Sequence, residues 1–200
     1  GMTIEKGVFD IEWNIEIYEE RLKVVLDYIS KESFDKIVIN MLGDYIDGQD
    51  RTTARRSHLL SQDMSNEEML RSGVNSFLQF ISNLEYFNVP IEVNAITSSN
   101  HGGYMEYSIW YTIQKYCEVR YSHFVKINIC NQFLQHTTIG KYNVILTHGY
   151  DDAEVSSRNK MPKDIKPVWE NKIGRYIKHY NLKNVILLRG DLHQYKDTKF

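Results

Sequence analysis

Two hundred residues, 42% of them hydrophobic and 12% aromatic, suffice for one ordinary domain with a substantial core, which excludes an intrinsically disordered chain. A formal charge of -2 and a sequence pI near 6.4 exclude a global basic field, so any polyanion must be held by a local patch. Cys117 and Cys130 fit neither a paired metal spacing nor a disulfide framework, no apolar run approaches the ~20 residues of a membrane span, and no basic-then-apolar signal opens the chain, so a cytoplasmic, membrane-free protein with both cysteines in the core is expected.

Gly1 before Met2 matches the residue left by cleavage of an expression tag. Ile15, Tyr18, Leu22, Val25 and Ile29 recur at helical spacing among charged residues, which predicts an amphipathic helix over 14–31. The run KIVINML (36–42) is apolar and β-branched, as in a strand buried on both faces, and it ends at GDYIDG. Ser65 and Glu68 form a capping box ahead of Leu70, Val74, Phe77, Ile81 and Leu84, placing a second helix at about 66–84. After Pro90, IEVNAIT (91–97) predicts a strand leading to SSNHGG, and Met105, Ile109, Ile113 and Tyr116 mark a third helix. From Val119 to Gly149 aromatic and β-branched residues dominate, with Gly140 and Lys141 as a turn, which predicts antiparallel strands and a second sheet. Trp169–Tyr180 reads as a helix after Pro167, and NVILLRG (184–190) as a buried strand ending at DLH. There are no internal repeats or low-complexity tracts.

Polar side chains fall just past the C-terminal ends of four apolar strands: Asp44 and Asp47, Asn100 and His101, His148, and Asp191 with His193. Ligand crevices of open α/β sheets lie at such ends. Each residue taken singly has an ordinary reading as a turn carboxylate, turn amide or strand-end histidine. Four clusters together favour a site, and mixed carboxylate, amide and imidazole donors suit a transition metal better than calcium.

These segments resemble the calcineurin-like metallophosphoesterases, among them phage-associated members described as DNA-repair-exonuclease-like. GDYIDG resembles the family's GDxxD(G/R), SNHG resembles GNH(D/E), LTHG the later histidine motif, and GDLH resembles GHxH, in the same order and over nearly the whole chain. The resemblance implies an α/β fold of two mixed sheets sandwiched together and flanked by helices. It implies two divalent metal ions, manganese being the first choice, with Asp44 bridging them, Asn100 and His148 on one ion and His193 on the other. His101 is then the residue that contacts phosphate or protonates the leaving oxygen, and Asp47 a supporting carboxylate behind the ligands.

Three departures accompany the resemblance. Gly102 replaces the acid that often partners the family histidine, so that His101 is either less well oriented or takes another partner such as Glu106. Asp191 replaces the first histidine of GHxH and remains a metal ligand of harder character. The opening Asp-x-His motif is absent, since no histidine precedes His58. The expectation is therefore one metallophosphoesterase domain over 1–200, with a first strand upstream of Thr3 and closing strands after Phe200 belonging to the natural protein, and with weak metal retention and activity in this form.

The implied chemistry is attack of a metal-activated hydroxide on a phosphate ester, a nucleic-acid phosphodiester such as DNA being the leading substrate. Arg51, Arg55 and Arg56 after GDYIDG, with His58 nearby, are candidate phosphate contacts, and Arg158, Lys160, Lys163 and Lys166 form a second basic stretch; either is equally well read as a solvated surface. A noncatalytic binding or scaffold protein that keeps the fold is the alternative, favoured by Gly102, Asp191 and the missing Asp-x-His.

Overall fold

The structure is a computed structural model that describes residues 15–53, 59, 64–149 and 166–190. It is an α/β arrangement of two three-stranded sheets with helices. The elements run α1 (Ile15–Ile29), β1 (Ile37–Met41), α2 (Asn66–Leu84), β2 (Ile91–Ile96), α3 (Gly103–Arg120), β3 (Val125–Cys130), β4 (Gln135–Ile139), β5 (Tyr142–Thr147), α4 (Lys166–Tyr180) and β6 (Val185–Arg189), with a short 3-10 turn at Glu85–Phe87. None of the described helices is long and apolar enough to cross a membrane.

The first sheet has the order β1-β2-β3 and is parallel throughout, with α2 and α3 as the crossovers. Two expectations are corrected among the described residues: the first sheet shows parallel pairing alone, and β3 pairs in parallel with β2 rather than in an antiparallel meander. Residues 119–120 still belong to α3. The second sheet, β4-β5-β6, is mixed, because β4 pairs antiparallel with β5 across the turn at Gly140 and Lys141, while β6 runs parallel to β5. Pro167 lies in the first turn of α4 rather than before it, where the absent N–H costs nothing.

The register of the first sheet explains its packing. Ile37, Ile91 and Val125 align across the strands, as do Ile39, Val93 and Ile127, and this apolar face meets Val74, Phe77, Phe80 and Ile81 of α2 and Ile109, Trp110 and Ile113 of α3. The capping box at Ser65 and Glu68 is formed, fixing where α2 begins. Val25, Leu70 and Tyr116 are exposed; Leu26 of α1 and Cys117 of α3 take core positions instead.

The opposite face is not the apolar surface that KIVINML and IEVNAIT predicted. Asn40, Asn94 and Asn128 align in one rung, with Asn94 donating to Asn40 at 3.0 Å and Asn128 donating to Asn94 at 2.9 Å. Glu92 accepts from Asn94, from Lys36 at 2.6 Å and from Thr137 of β4 at 2.7 Å, the last bond joining the two sheets. Toward the C-terminal strand ends this layer turns apolar, where Ile96 packs with Val144 and Leu146. The ends of β1, β2 and β5 are thereby drawn together.

Candidate metal centre

The GDYIDG loop is anchored by its two middle residues. Tyr45 donates its hydroxyl to the Gly73 carbonyl at 2.8 Å and packs its ring 5.0 Å from Trp110, and Ile46 is buried beside it. With Tyr45 and Ile46 turned into the core, the flanking carboxylates Asp44 and Asp47 are left to face His148 and His101. Asp44 takes a left-handed backbone (φ 54°), tolerated by aspartate better than by most residues and a form of strain concentrated at functional loops.

His148, only 1% exposed, is the centre of the arrangement. Its ring lies against Gly43, where an added Cβ would stand 2.8 Å from Nδ1, so the glycine that opens the motif is the space into which His148 packs. Nδ1 lies 2.8 Å from the Leu42 carbonyl oxygen. A carbonyl only accepts, so Nδ1 carries the proton and donates, and in the neutral ring Nε2 presents a lone pair. Nε2 faces Oδ1 of Asn100 at 2.5 Å and Oδ2 of Asp44 at 3.2 Å. Three electron-pair donors from three loops thus converge on one point, an arrangement that calls for a proton or a cation between them.

Asp44 is held on its other oxygen as well, since Oδ1 accepts the His101 backbone N–H at 3.1 Å. Burial pushes its carboxyl pKa up, but with His148 protonated, the hydrogen bond and charge of that ring, the His101 charge and the His101 N–H prevail and hold it below the ordinary value; in the neutral ring a cation would take the place of that proton.

The side chain of His101 is paired with Asp47, Nδ1 to Oδ1 at 2.5 Å. Of the two expectations for His101, it does take another partner, but that partner is Asp47 and not Glu106. Glu106 is fully buried and accepts from Tyr45 N–H at 3.1 Å and Ser99 Oγ at 2.5 Å, tying the loop that carries Asp44 to the loop that carries Asn100 and His101. Desolvation raises its pKa to about 7, the nearby Asp44 charge adding to the rise against the Ser99 and Tyr45 hydrogen bonds. Gly102 makes this possible: an added Cβ there would lie 2.5 Å from Glu106 Oε2. The acid missing after His101 is thus balanced by one buried a helical turn later. The signal was a glutamate within the apolar stripe of Ile109, Trp110 and Ile113.

No family model, no curated protein and no solved structure matches this chain. The site is therefore read from its own geometry.

Among the described residues no three His, Cys, Asp or Glu side chains gather in a metal-holding group. The convergent set contains two of these types, Asp44 and His148, and draws its third donor from the Asn100 amide. Metal bonds of ~2.1 Å place adjacent ligand atoms ~3 Å apart. The His148–Asp44 separation of 3.2 Å meets this, and the His148–Asn100 separation of 2.5 Å needs to open by about half an ångström. The donor set fits one transition ion. Asp191 and His193 lie outside the described residues, as do Arg55, Arg56, His58, Arg158, Lys160 and Lys163.

Arg51 sits at the tip of a tight hairpin in which Gln49 and Thr52 exchange backbone hydrogen bonds, with Asp50 and Arg51 both at positive φ. Asn66 holds the turn through Asp50, and Arg51 is exposed.

Proposed function

We propose that this protein is a calcineurin-like, metal-dependent phosphoesterase, its two sheets forming the family's sandwich and its metals lying at the C-terminal strand ends. The observation that carries the reading is the convergence of His148 Nε2, Asn100 Oδ1 and Asp44 Oδ2 while His148 Nδ1 is committed to the Leu42 carbonyl. In this reading Asp44, Asn100 and His148, with Asp191, hold one ion, and Asp44 with His193 contributes to a second. Divalent ions held there, manganese foremost, supply charge that polarises a phosphoryl group and make hydroxide available near neutral pH.

The chain's own groups supply the rest. Asp47 orients His101 through Nδ1, so the proton delivered to the leaving oxygen travels from Nε2, a contribution of roughly 10²-fold to the rate. The His101 backbone N–H fixes Asp44, so the same short segment positions both the proton donor and a ligand. Glu106 locks the two loops in register. Arg51, joined by Arg55 and Arg56, contacts substrate phosphates, and a nucleic-acid phosphodiester is the leading substrate.

A second reading, a noncatalytic binding protein on the same fold, draws on Gly102 and Asp191 standing where the family pattern has an acid and a histidine. One experiment separates the two. Hydrolysis of bis-p-nitrophenyl phosphate, single-stranded DNA and duplex DNA is followed with added Mn²⁺ in wild type and Asp44→Asn. Mn-dependent turnover lost in the variant supports the enzyme; Mn²⁺ binding without turnover of any substrate supports the scaffold.

A further inference from the structure

We propose that the outer face of α3 is a track for single-stranded nucleic acid, whose bases stack on Tyr104, Tyr107 and Tyr111 and whose backbone is led toward His101; it rests on the phosphoesterase reading for the fate of the strand. The spacing of the three tyrosines places them within an arc of about 60° on one side of the helix. That side is opposite Ile109, Trp110, Ile113 and Cys117, which bury the helix against the first sheet. Tyr104 is 91% exposed, Tyr107 42% and Tyr111 47%. A line of large rings left in water is a contact surface for something.

Three observations say what. The rings of Tyr107 and Tyr111 lie within 15° of parallel with centroids 6.2 Å apart, so their faces are aligned for flat partners. No carboxylate is exposed on the helix from Tyr104 to Lys115, because its one acid, Glu106, is fully buried; the first exposed charge is Lys115, 5.5 Å from the Tyr111 ring centre. Glu118, two turns after Tyr111 on the same face, pairs with Lys115 at 2.6 Å and shares that charge at the far end of the three rings, and Arg120 follows it. In a chain with 26 acidic residues, three turns without an exposed one form a surface that a polyanion can approach.

The face is also continuous with the site, since Tyr104 is three residues after His101 on the helix that the SNHGG loop opens. The polar residues between the rings are already engaged locally, Ser108 with the Tyr104 carbonyl and Thr112 with the Ser108 carbonyl, so π-faces rather than hydroxyl donors dominate the ridge. Stacking on aromatic side chains with a nearby cation is how proteins hold single strands without regard to sequence. Paired bases in a duplex do not offer their faces, which makes the single strand the occupant.

Fluorescence anisotropy of a fluorescein-labelled oligodeoxythymidylate, measured in EDTA to prevent cleavage, tests the track. Wild type is compared with the triple variants Tyr104→Ala/Tyr107→Ala/Tyr111→Ala and Tyr104→Phe/Tyr107→Phe/Tyr111→Phe, each checked for folding by circular dichroism. The alanine variant is expected to weaken binding about 10-fold or more, and the phenylalanine variant to bind within about two-fold of wild type, because the ring faces remain. Duplex of the same length competes poorly. Hydrolysis of bis-p-nitrophenyl phosphate with Mn²⁺ is unchanged in the alanine variant. Absent oligonucleotide binding, equal binding by the alanine variant, or equal losses in both variants overturns the track. Self-association of wild type abolished by the alanine variant, with no oligonucleotide binding, assigns the face to a protein contact and overturns it too. Failure of the phosphoesterase reading shows differently, as absent turnover of the small diester with the stacking signature intact.

Discussion

Nε2 of His148 lies 3.2 Å from Oδ2 of Asp44, while Nδ1 of the same ring is committed to the Leu42 carbonyl. The lone pair on Nε2 therefore meets a carboxylate whose other oxygen is already engaged by the His101 N–H, an arrangement that a shared cation would satisfy. Removing either should damage metal binding, but not equally. Asp44→Asn removes the negative charge and should lower Mn-dependent turnover of bis-p-nitrophenyl phosphate by roughly 10³-fold or more, with little rescue by excess Mn²⁺. His148→Ala removes a neutral ligand, so mass action should restore part of its activity. Titration calorimetry with Mn²⁺ checks the affinities, and equal rescue of the two variants would sink the proposed division of roles.

Glu106 gives the protein a pH-dependent stability of defined sign. Its pKa in the folded state is raised to about 7 from an ordinary 4.5, so the folded protein keeps a proton that the unfolded chain has released. This contribution is fully present below pH 4.5 and is lost as pH rises through 7, to the extent of ~3 kcal/mol. Asp44, held low, acts oppositely and loses its contribution as pH falls through its folded pKa. Urea unfolding from pH 4.5 to 8 should show a shallower decline in Glu106→Gln than in wild type, and parallel curves for the two proteins would contradict the assignment.

Gly43→Ala should be costly in two ways. The residue has φ 91°, and its new methyl would meet the His148 ring at 2.8 Å. Gly140→Ala is the control, with φ 57° and open space around the added carbon. We expect about 1 kcal/mol of destabilisation at Gly140 from backbone strain alone, and about 2–4 kcal/mol at Gly43 together with reduced Mn²⁺ affinity. Chemical denaturation measures the first effect and calorimetry the second. Equal costs at the two positions would mean that the His148 packing carries no energy.

The pairing of His101 with Asp47 predicts a dependence on the leaving group. His101→Ala and Asp47→Asn should slow a diester with an alkoxide leaving group by about 10²-fold, because that oxygen needs a proton as it departs. A p-nitrophenyl ester, whose phenolate leaves unaided, should be far less affected. Comparing kcat for the two substrate types in each variant settles whether the pair acts as proton donor, and uniform losses would instead mark a positioning role.

Much of this was legible because local rules and the local environment agree. The Ser65–Glu68 box and the apolar stripe behind it place α2 at Asn66–Leu84, since both signals depend only on helix geometry. The polar residues after KIVINML, IEVNAIT and NVIL were legible as a cluster because strand ends in a parallel arrangement point the same way. Val25 and Tyr116 were misplaced, as a helical stripe read from one sequence does not say how wide its buried arc is. The parallel pairing of β3 was missed because its partner β2 lies on the far side of α3, and nothing within residues 125–130 records that neighbour.

The sequence by itself picked out the polar residues that the fold gathers: Asp44, Asp47, Asn100, His101 and His148 stand out by their positions after apolar strands, and that information is local. The tertiary structure alone decided how they pair. His101 takes Asp47 rather than Glu106, Glu106 joins two loops from inside the core, and His148 turns Nδ1 to Leu42 so that Nε2 faces Asp44 and Asn100. Hydrogen bonds act over about 3 Å, and separations that short between residues distant in the chain are set only when the sheets and helices pack.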